Sequence, residues 1–173
     1  MSNDKKVRRV SVIDPDLIAE TVYDPILKET GFYVYLNGKA TYTDSVGVGK
    51  DNEQIFPLDA KSDIVSKNVV LFPSRAAEYG SSEELLNEIQ AFIHRYVDIS
   101  ASFERIAAQY VLLTWIYDRL NELPYLRARG DYGSGKSRFL RVVGSLCFRA
   151  IFTAGATTTS PIFRILDEVH GTL

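Results

Sequence analysis

The chain has 173 residues, of which 46% are hydrophobic and 24% are charged, so it is able to bury a core without disulfides and is not disordered as a whole. Lys and Arg number 20 against 22 Asp and Glu, and the net charge of -2 excludes a global basic field for nucleic acid. The longest apolar stretch, residues 110–117, is too short to cross a bilayer, and the charged N-terminus does not resemble a signal peptide. A cytoplasmic protein without membrane contact is expected.

Cysteine and histidine are scarce in this chain. The single cysteine, Cys147, excludes an internal disulfide and a cysteine-based zinc site. The two histidines, His94 and His170, are too few for a His-rich metal centre. His94 falls near the C-terminal end of a predicted helix, and a position favoured by the helix dipole explains it better than a ligand role.

Residues 1–78 are predicted to form a β-rich N-terminal module. Phe32–Leu36 is aromatic and β-branched, and Asn37-Gly38 joins it to residues 39–43, which predicts a β-hairpin. Further short strands are predicted at residues 7–13, 55–56 and 69–72. The basic side chains Lys5, Lys6, Arg8 and Arg9 form a short cluster near the N-terminus that could contact phosphates but is expected to be solvated. The module carries no recognisable functional signature.

Residues 79–122 are predicted to be a helical lead-in. Ser81 and Glu84 match a capping box, and apolar residues then recur at helical spacing. Residues 101–120 form a second predicted helix with a wide apolar face. Its aromatic residues, Tyr110, Trp115 and Tyr117, are placed in the core by this spacing in preference to a base-stacking role.

Residues 123–173 alternate between strand and helix signals. Strands are predicted at residues 124–129 and 150–153, and helices at residues 136–147 and from Ser160-Pro161, with Ser160 as the N-cap. Such alternation is typical of an α/β layer with parallel strands.

The segment G-D-Y-G-S-G-K-S at residues 130–137 fits G-x-x-x-x-G-K-[ST], the Walker A phosphate loop. Its glycines allow the backbone to curl around an anion, and the following helix directs its positive end toward the phosphates. Lys136 is predicted to contact the β- and γ-phosphates, and Ser137 to ligate Mg²⁺. The competing interpretation is a glycine-rich turn between a strand and a helix. The predicted ATP-binding residues are Gly130, Asp131, Tyr132, Gly133, Ser134, Gly135, Lys136, Ser137 and Arg138.

The motif and its flanks predict the fold class: an α+β N-terminal region followed by the start of an α/β P-loop NTPase domain with an incomplete parallel sheet, at residues 123–173.

Hydrolysis also needs a Walker B acid. Ile165–Glu168 imitates one, but Arg164 interrupts the apolar run and a helix starts at Ser160, so Asp167 and Glu168 are predicted to be a solvated helix end. Catalytic residues therefore stay unassigned. The chain is expected to be the N-terminal part of a longer protein or a truncated product.

Several segments resemble phage- and plasmid-type primase/helicase-like P-loop ATPases, over roughly residues 70–173. The segments are residues 123–127, the loop at 130–137, residues 138–140, 158–164 and 171–173. The resemblance implies binding of ATP and Mg²⁺, with Lys136 and Ser137 in contact, and work on DNA in replication or mobilisation. A homo-oligomeric ring is a further option, because related motors often take an arginine finger from a neighbouring subunit. Arg164 could supply that arginine finger. An arginine that faces solvent or packs on a short helix is an equally good interpretation.

Three functions remain open from the residues. The first is the N-terminal portion of a DNA-associated ATPase, a helicase or primase-helicase, whose β-rich module contacts DNA or acts as a scaffold. The second is a small P-loop kinase, disfavoured because everything from Met1 to Arg129 precedes the loop. The third is a non-catalytic nucleotide-binding remnant or assembly module. For the isolated chain, weak ATP binding and negligible hydrolysis are expected.

Overall fold

The computed structural model describes residues 6–14, 17–49, 52–153 and 159–173, and these residues divide into two compact units. The first unit contains the described residues up to Ala77 together with Asp167–Val169. The second contains Glu78–Leu166 and His170–Leu173.

The first unit is built mainly from short strands. They are β1 Val7–Arg8, β2 Ser11–Asp14, β3 Leu17–Asp24, β4 Glu29–Leu36, β5 Lys39–Thr43, β6 Val46–Val48 and β7 Glu53–Phe56, followed by the one-turn helix α1 Asp63–Ser66. Strands β2 to β5 form an antiparallel sheet in chain order, and β1, β7 and β6 form a mixed three-stranded sheet in which β1 runs parallel to β7.

The predicted hairpin is confirmed. Leu36 pairs with Lys39 across the turn, and Asn37 and Gly38 take positive φ angles of 51° and 79°. Two consecutive positive φ angles match the right-handed twist of the flanking strands, which is why Asn-Gly is favoured there. Strand β4 begins at Glu29, three residues before the predicted start.

Alternate side chains of the four-stranded sheet form the core of the first unit. Buried apolar residues of both sheets pack together, namely Val12, Ala19, Phe32, Val46 and Ile55. Thr21 is also buried, and its hydroxyl donates to the Val10 carbonyl oxygen at 2.6 Å, so it leaves no unsatisfied polar atom. The opposite face carries exposed aliphatic and tyrosine side chains, Ile13, Ile18, Tyr35 and Tyr42.

The second unit is mainly helical. Its helices are α2 Ser82–Tyr96, α3 Ala101–Thr114, a 3-10 turn at Tyr117–Arg119, α4 Lys136–Gly144 and the first part of α5 Thr159–Val169. The predicted capping box is confirmed: the Glu84 amide donates to Ser81 Oγ at 3.2 Å, and the Ser81 amide donates to Glu84 Oε2 at 2.7 Å. These bonds lower the pKa of the Glu84 carboxyl.

Side-chain packing holds α2, α3 and α4 together. Eight buried residues form one cluster, namely Ile93, Val97, Ala107, Ala108, Val111, Phe139, Val143 and Cys147. The rings of Phe103 and Phe139 stack within it, with centroids 5.3 Å apart. Because α4 directly follows the glycine-rich loop, this packing fixes the loop's helical end to the other two helices.

The predicted fold class is wrong. The described residues form an α+β structure whose sheets lie among residues 7–56, and those described between 123 and 173 form no parallel sheet. Residues 124–129 keep an alternating burial pattern, with Leu126 and Ala128 packed against the helical cluster and Tyr125 exposed, but they pair with no strand of the described chain. Burial of alternate side chains is satisfied by helices here, so the pattern alone does not create a ladder.

The strand predicted at residues 55–56 falls within β7, and the one predicted at residues 7–13 is divided between β1 and β2, but two other strand predictions are wrong. Residues 69–72 are not a strand, and residues 150–153 supply only a single parallel bridge between Ala150 and Thr172. Across this bridge the Ile151 amide donates to the Thr172 carbonyl oxygen at 2.8 Å. One bridge lacks the neighbouring bonds that define a strand.

Several element ends also differ from prediction. Helix α3 ends at Thr114 and α4 at Gly144, both earlier than expected. Helix α5 begins at Thr159, so Ser160 lies within its first turn and is not the N-cap. Asp167 and Glu168 are exposed near the end of this helix, as predicted. Thr158, part of the resembling segment 158–164, lies outside the described residues.

Two further observations concern the surface. Among the described helices, none has the length and apolar character needed to cross a membrane. In the basic N-terminal cluster, Lys6 lies over the Phe56 ring at 4.5 Å, and Arg8 pairs with Asp59 at 3.3 Å. These two side chains are therefore engaged and not simply solvated, whereas Arg9 is exposed and Lys5 lies outside the described residues.

Candidate phosphate-binding loop

The glycine-rich loop, residues 130–137, has the backbone geometry of a tight curl that leads into a helix. Gly133 and Gly135 adopt left-handed φ angles of 81° and 82°, and Gly135 is the N-cap of α4. L-residues with a side chain rarely adopt these angles, which explains glycine at both positions. At Gly130 a Cβ would lie 2.6 Å from Ser134 Oγ, a close approach that a shift of the Ser134 hydroxyl would relieve.

The ammonium group of Lys136 lies within this curl. Its Nζ donates to the Gly130 carbonyl oxygen at 2.8 Å, to the Asp131 carbonyl oxygen and to Ser134 Oγ at 3.3 Å. The positive charge is therefore held between the two ends of the loop. All three acceptors are neutral oxygens, so a charged oxygen would be a stronger partner for the same group.

Backbone N–H groups at the start of α4 are free to donate. Within the described part of the chain, no oxygen accepts from the amides of Gly135, Lys136, Ser137 or Arg138, and the first helical bond runs from Phe139 to Gly135. Unpaired amides at a helix N-terminus carry a partial positive charge. Together with the Lys136 ammonium they make this end of α4 electropositive.

The other predicted residues serve the loop in different ways. Asp131 acts through its carbonyl oxygen, which also accepts from the Ser134 amide at 3.3 Å. The Tyr132 side chain is fully exposed, so its contribution to the loop comes from its backbone. Ser137 and Arg138 are exposed in the first turn of α4.

Ser137 is the residue that fits the expected Mg²⁺. No group of three or more His, Cys, Asp or Glu side chains is placed to hold a metal ion in residues 6–14, 17–49, 52–153 and 159–173. Mg²⁺ commonly keeps several waters and binds through one or two protein oxygens plus substrate phosphates. The exposed Ser137 hydroxyl fits that limited role, with the remaining ligands coming from the nucleotide and from water.

A groove beside the loop was not predicted from the sequence. This side groove has a volume of about 390 Å³ and runs between the loop and the connection from α2 to α3. It is lined by Tyr96, Val97, Asp98, Ile99, Phe103 and Phe139 and by loop residues 133–136. Residues 96–99 carry no motif and lie more than thirty positions before the loop, so only the packing of α2 and α3 on α4 brings them there.

A buried acid was also missed. Glu104 has a side chain only 5% exposed, and its Oε1 lies 2.8 Å from Nδ1 of His94. This contact between α2 and α3 raises the pKa of His94, first through the hydrogen bond and then through the Glu104 charge. The role predicted for His94 at a helix end is thus incomplete, because a specific carboxylate is its partner.

Cys147 has the properties of a packing residue. Its thiol lies in the helical cluster, and burial raises its pKa to about 11. At neutral pH it is therefore almost entirely protonated and a poor nucleophile.

The glycine-rich loop combines a positively charged ammonium, free backbone amides and an exposed hydroxyl at one helix end. This set is able to bind an anion that offers several oxygens. Comparisons of the chain with protein-family models, with curated proteins and with solved structures find no match. The chemistry assigned to the site rests on its geometry and on the motif at residues 130–137.

Proposed function

We propose that the glycine-rich loop binds the phosphates of ATP together with Mg²⁺. The observation that carries this proposal is the set of free amides from Gly135 to Arg138 beside the Lys136 ammonium. Phosphate oxygens accept hydrogen bonds from such amides and are favoured by the positive end of the helix. The match of residues 130–137 to the Walker A pattern supports a nucleotide over a simple anion.

Each residue has a distinct part in this proposal. The amides of α4 donate to the phosphate oxygens, and Lys136 exchanges at least one neutral carbonyl acceptor for a charged one. Ser137 contributes its hydroxyl to Mg²⁺, which enters with the nucleotide. The described residues offer no assigned group that orients an attacking water, so the isolated chain is expected to bind ATP and hydrolyse it negligibly.

The wider role is that of a cytoplasmic DNA-associated ATPase, a helicase or primase-helicase, to which this chain contributes the ATP-binding part. Support for it comes from the order of motifs in residues 123–173 that resembles phage and plasmid primase/helicase-like proteins. The parallel sheet implied by the same resemblance is not formed by the described residues. A nucleotide-binding module without catalysis is the alternative.

Titration with Mg²⁺-ATP tests the binding proposal. Lys136→Ala is expected to weaken ATP binding by about 10- to 100-fold, because a hydrogen bond to a charged group contributes roughly 1.5–3 kcal/mol. Lys61→Ala is the matched control, since this exposed lysine belongs to the first unit and is not part of the loop. Equal ATP affinity in Lys136→Ala and the unmodified chain would contradict the proposal.

The DNA role is tested by hydrolysis. In the whole protein to which this chain contributes the ATP-binding part, the wider proposal predicts that single-stranded DNA raises the rate of ATP hydrolysis and that Lys136→Ala abolishes the increase. ATP binding without any DNA-stimulated hydrolysis would favour the non-catalytic module instead.

A further inference from the structure

We infer that the side groove is the nucleoside subsite of the ATP site, with the purine base stacked on Tyr96 and its amino group recognised by Asp98. This inference rests on the proposed function of the loop. It adds a location for the base, two recognition residues and a preference for purines that carry an amino group.

The side groove is continuous with the glycine-rich loop. Gly133–Lys136 line the side groove and also form the part of the loop that holds the Lys136 ammonium. A nucleotide whose phosphates bind the loop therefore has this groove directly beside them. Its volume of about 390 Å³ lies in the usual range for small-molecule sites. Two other hollows in the second unit include no residue of the loop.

The floor of the side groove is apolar and firmly held. Val97 and Phe139 are buried, and the Phe139 ring stacks on Phe103 at an interplanar angle of 18°. Phe139 is one helical turn beyond Lys136 in α4, so the floor and the phosphate-binding end belong to the same helix. An apolar floor next to a polar loop matches a ligand with a flat base at one end and charge at the other.

Tyr96 supplies an aromatic wall. Its ring packs against Phe92 with centroids 5.0 Å apart, yet 47% of the residue remains exposed. The contact with Phe92 restrains the ring, and Tyr96 remains part of the groove lining. Stacking on an aromatic side chain is a common way to bind a base, because every base has a π-face.

The two sides of the side groove carry opposite charges. Asp98 is exposed on the α2–α3 side, whereas Arg129, Lys136 and Arg138 lie on the loop side. A carboxylate repels phosphate, so the phosphates are favoured at the loop and the base at Asp98. A carboxylate only accepts hydrogen bonds, and the exocyclic amino group of adenine is a donor.

The experiment compares three ligands by calorimetric titration: Mg²⁺-ATP, purine riboside triphosphate, which lacks the 6-amino group, and inorganic tripolyphosphate, which lacks a nucleoside. Tyr96→Ala is expected to weaken ATP binding by about tenfold and to leave tripolyphosphate binding unchanged. Tyr96→Phe should keep the wild-type affinity, because it keeps the ring. Tyr79→Ala is the control, since this tyrosine is similarly exposed and does not line the groove.

Asp98→Ala tests the recognition of the amino group. The unmodified chain should prefer ATP over purine riboside triphosphate, and Asp98→Ala should remove that preference while tripolyphosphate binding persists. Retained tripolyphosphate binding also shows that each variant is folded.

Two failures are distinguishable. If Lys136→Ala weakens both ATP and tripolyphosphate while Tyr96→Ala and Asp98→Ala bind ATP like the wild type, the subsite is wrong and the loop proposal stands. If neither ligand binds the unmodified chain, both proposals are overturned.

Discussion

The paired strands of the first unit and the start of α4 in the second unit differ in how they use their backbone hydrogen-bonding groups. In the first unit, β3 pairs with β4 along eight consecutive residues, from Leu17 with Leu36 to Asp24 with Glu29. In the second, the amides that begin α4 have no acceptor among the described residues. A sheet satisfies its amides internally and gains stability, whereas a loop that leaves them free keeps donors for a ligand. The candidate site lies at a helix start whose backbone amides are unpaired.

Glycines with the same conformation illustrate this difference. Gly38 in the hairpin and Gly135 in the loop have φ angles of 79° and 82°, and a Cβ at either position would meet nothing within 4 Å. In the first unit the left-handed angle closes a turn between paired strands. In the second it begins a helix whose amides remain unpaired. A similar positive φ therefore closes a paired turn in one unit and precedes unpaired amides in the other.

The largest effect that tests this comparison is expected in the core of the sheets. Phe32 is fully buried on β4 among residues of both sheets, so Phe32→Ala should lower the free energy of unfolding of the first unit by about 3–5 kcal/mol. Hydrogen exchange of the β3 and β4 amides measures it, because their protection depends on the ladder.

Phe163→Ala is the control for this prediction. Phe163 is exposed on α5, and substitutions at such positions usually change stability by less than about 0.5 kcal/mol. A Phe32→Ala variant with exchange rates like those of Phe163→Ala would mean that the two sheets do not pack as described.

A smaller effect is expected from the glycine pair. Gly38→Ala and Gly135→Ala should each cost about 1–2 kcal/mol of stability, because alanine is strained in the left-handed region. Only Gly135→Ala should also weaken ATP binding, since relief of that strain shifts the amides at the start of α4. Urea unfolding measures the first effect and ATP titration the second. If Gly135→Ala reduces stability but leaves ATP binding unchanged, the amides at the start of α4 do not contribute to ATP binding.

Features with a local cause were predictable from the sequence. The Asn37-Gly38 hairpin and the Ser81–Glu84 capping box depend on residues a few positions apart, and both are confirmed. The glycine-rich loop belongs to the same class, because its curl is set by Gly133 and Gly135.

Features that depend on distant packing were not predictable. Leu126 and Ala128 show the alternation of a strand but pack against helices, so the predicted parallel sheet is wrong. The side groove forms only where residues 96–99 lie beside residues 133–136. Neither segment carries a sequence pattern that predicts this proximity. Glu104 received no role from the sequence, because its contact with His94, ten positions earlier, depends on the packing of α2 on α3.

The smallest expected effect concerns this last pair. Glu104 raises the pKa of His94 above its usual 6.5, so protonated His94 stabilises the contact between α2 and α3. A group whose pKa is raised by folding contributes stability that is fully present below its unfolded pKa and is lost as pH rises through the folded value. The stability of the second unit should therefore fall as pH increases from 6.5. The fall should be modest because His94 is largely exposed and screened by solvent.

Urea midpoints between about pH 5.5 and 8.5 measure this dependence. His94→Gln should flatten the profile, because it removes the titrating group. Glu104→Gln should flatten it too, because the neutral amide cannot hold the proton on His94, although burial of the side chain is kept. A profile that is equally steep in both variants and in the unmodified chain would show that the pH dependence arises elsewhere. The first unit contains neither residue, so the protection of its β3 and β4 amides should not follow the titration of His94.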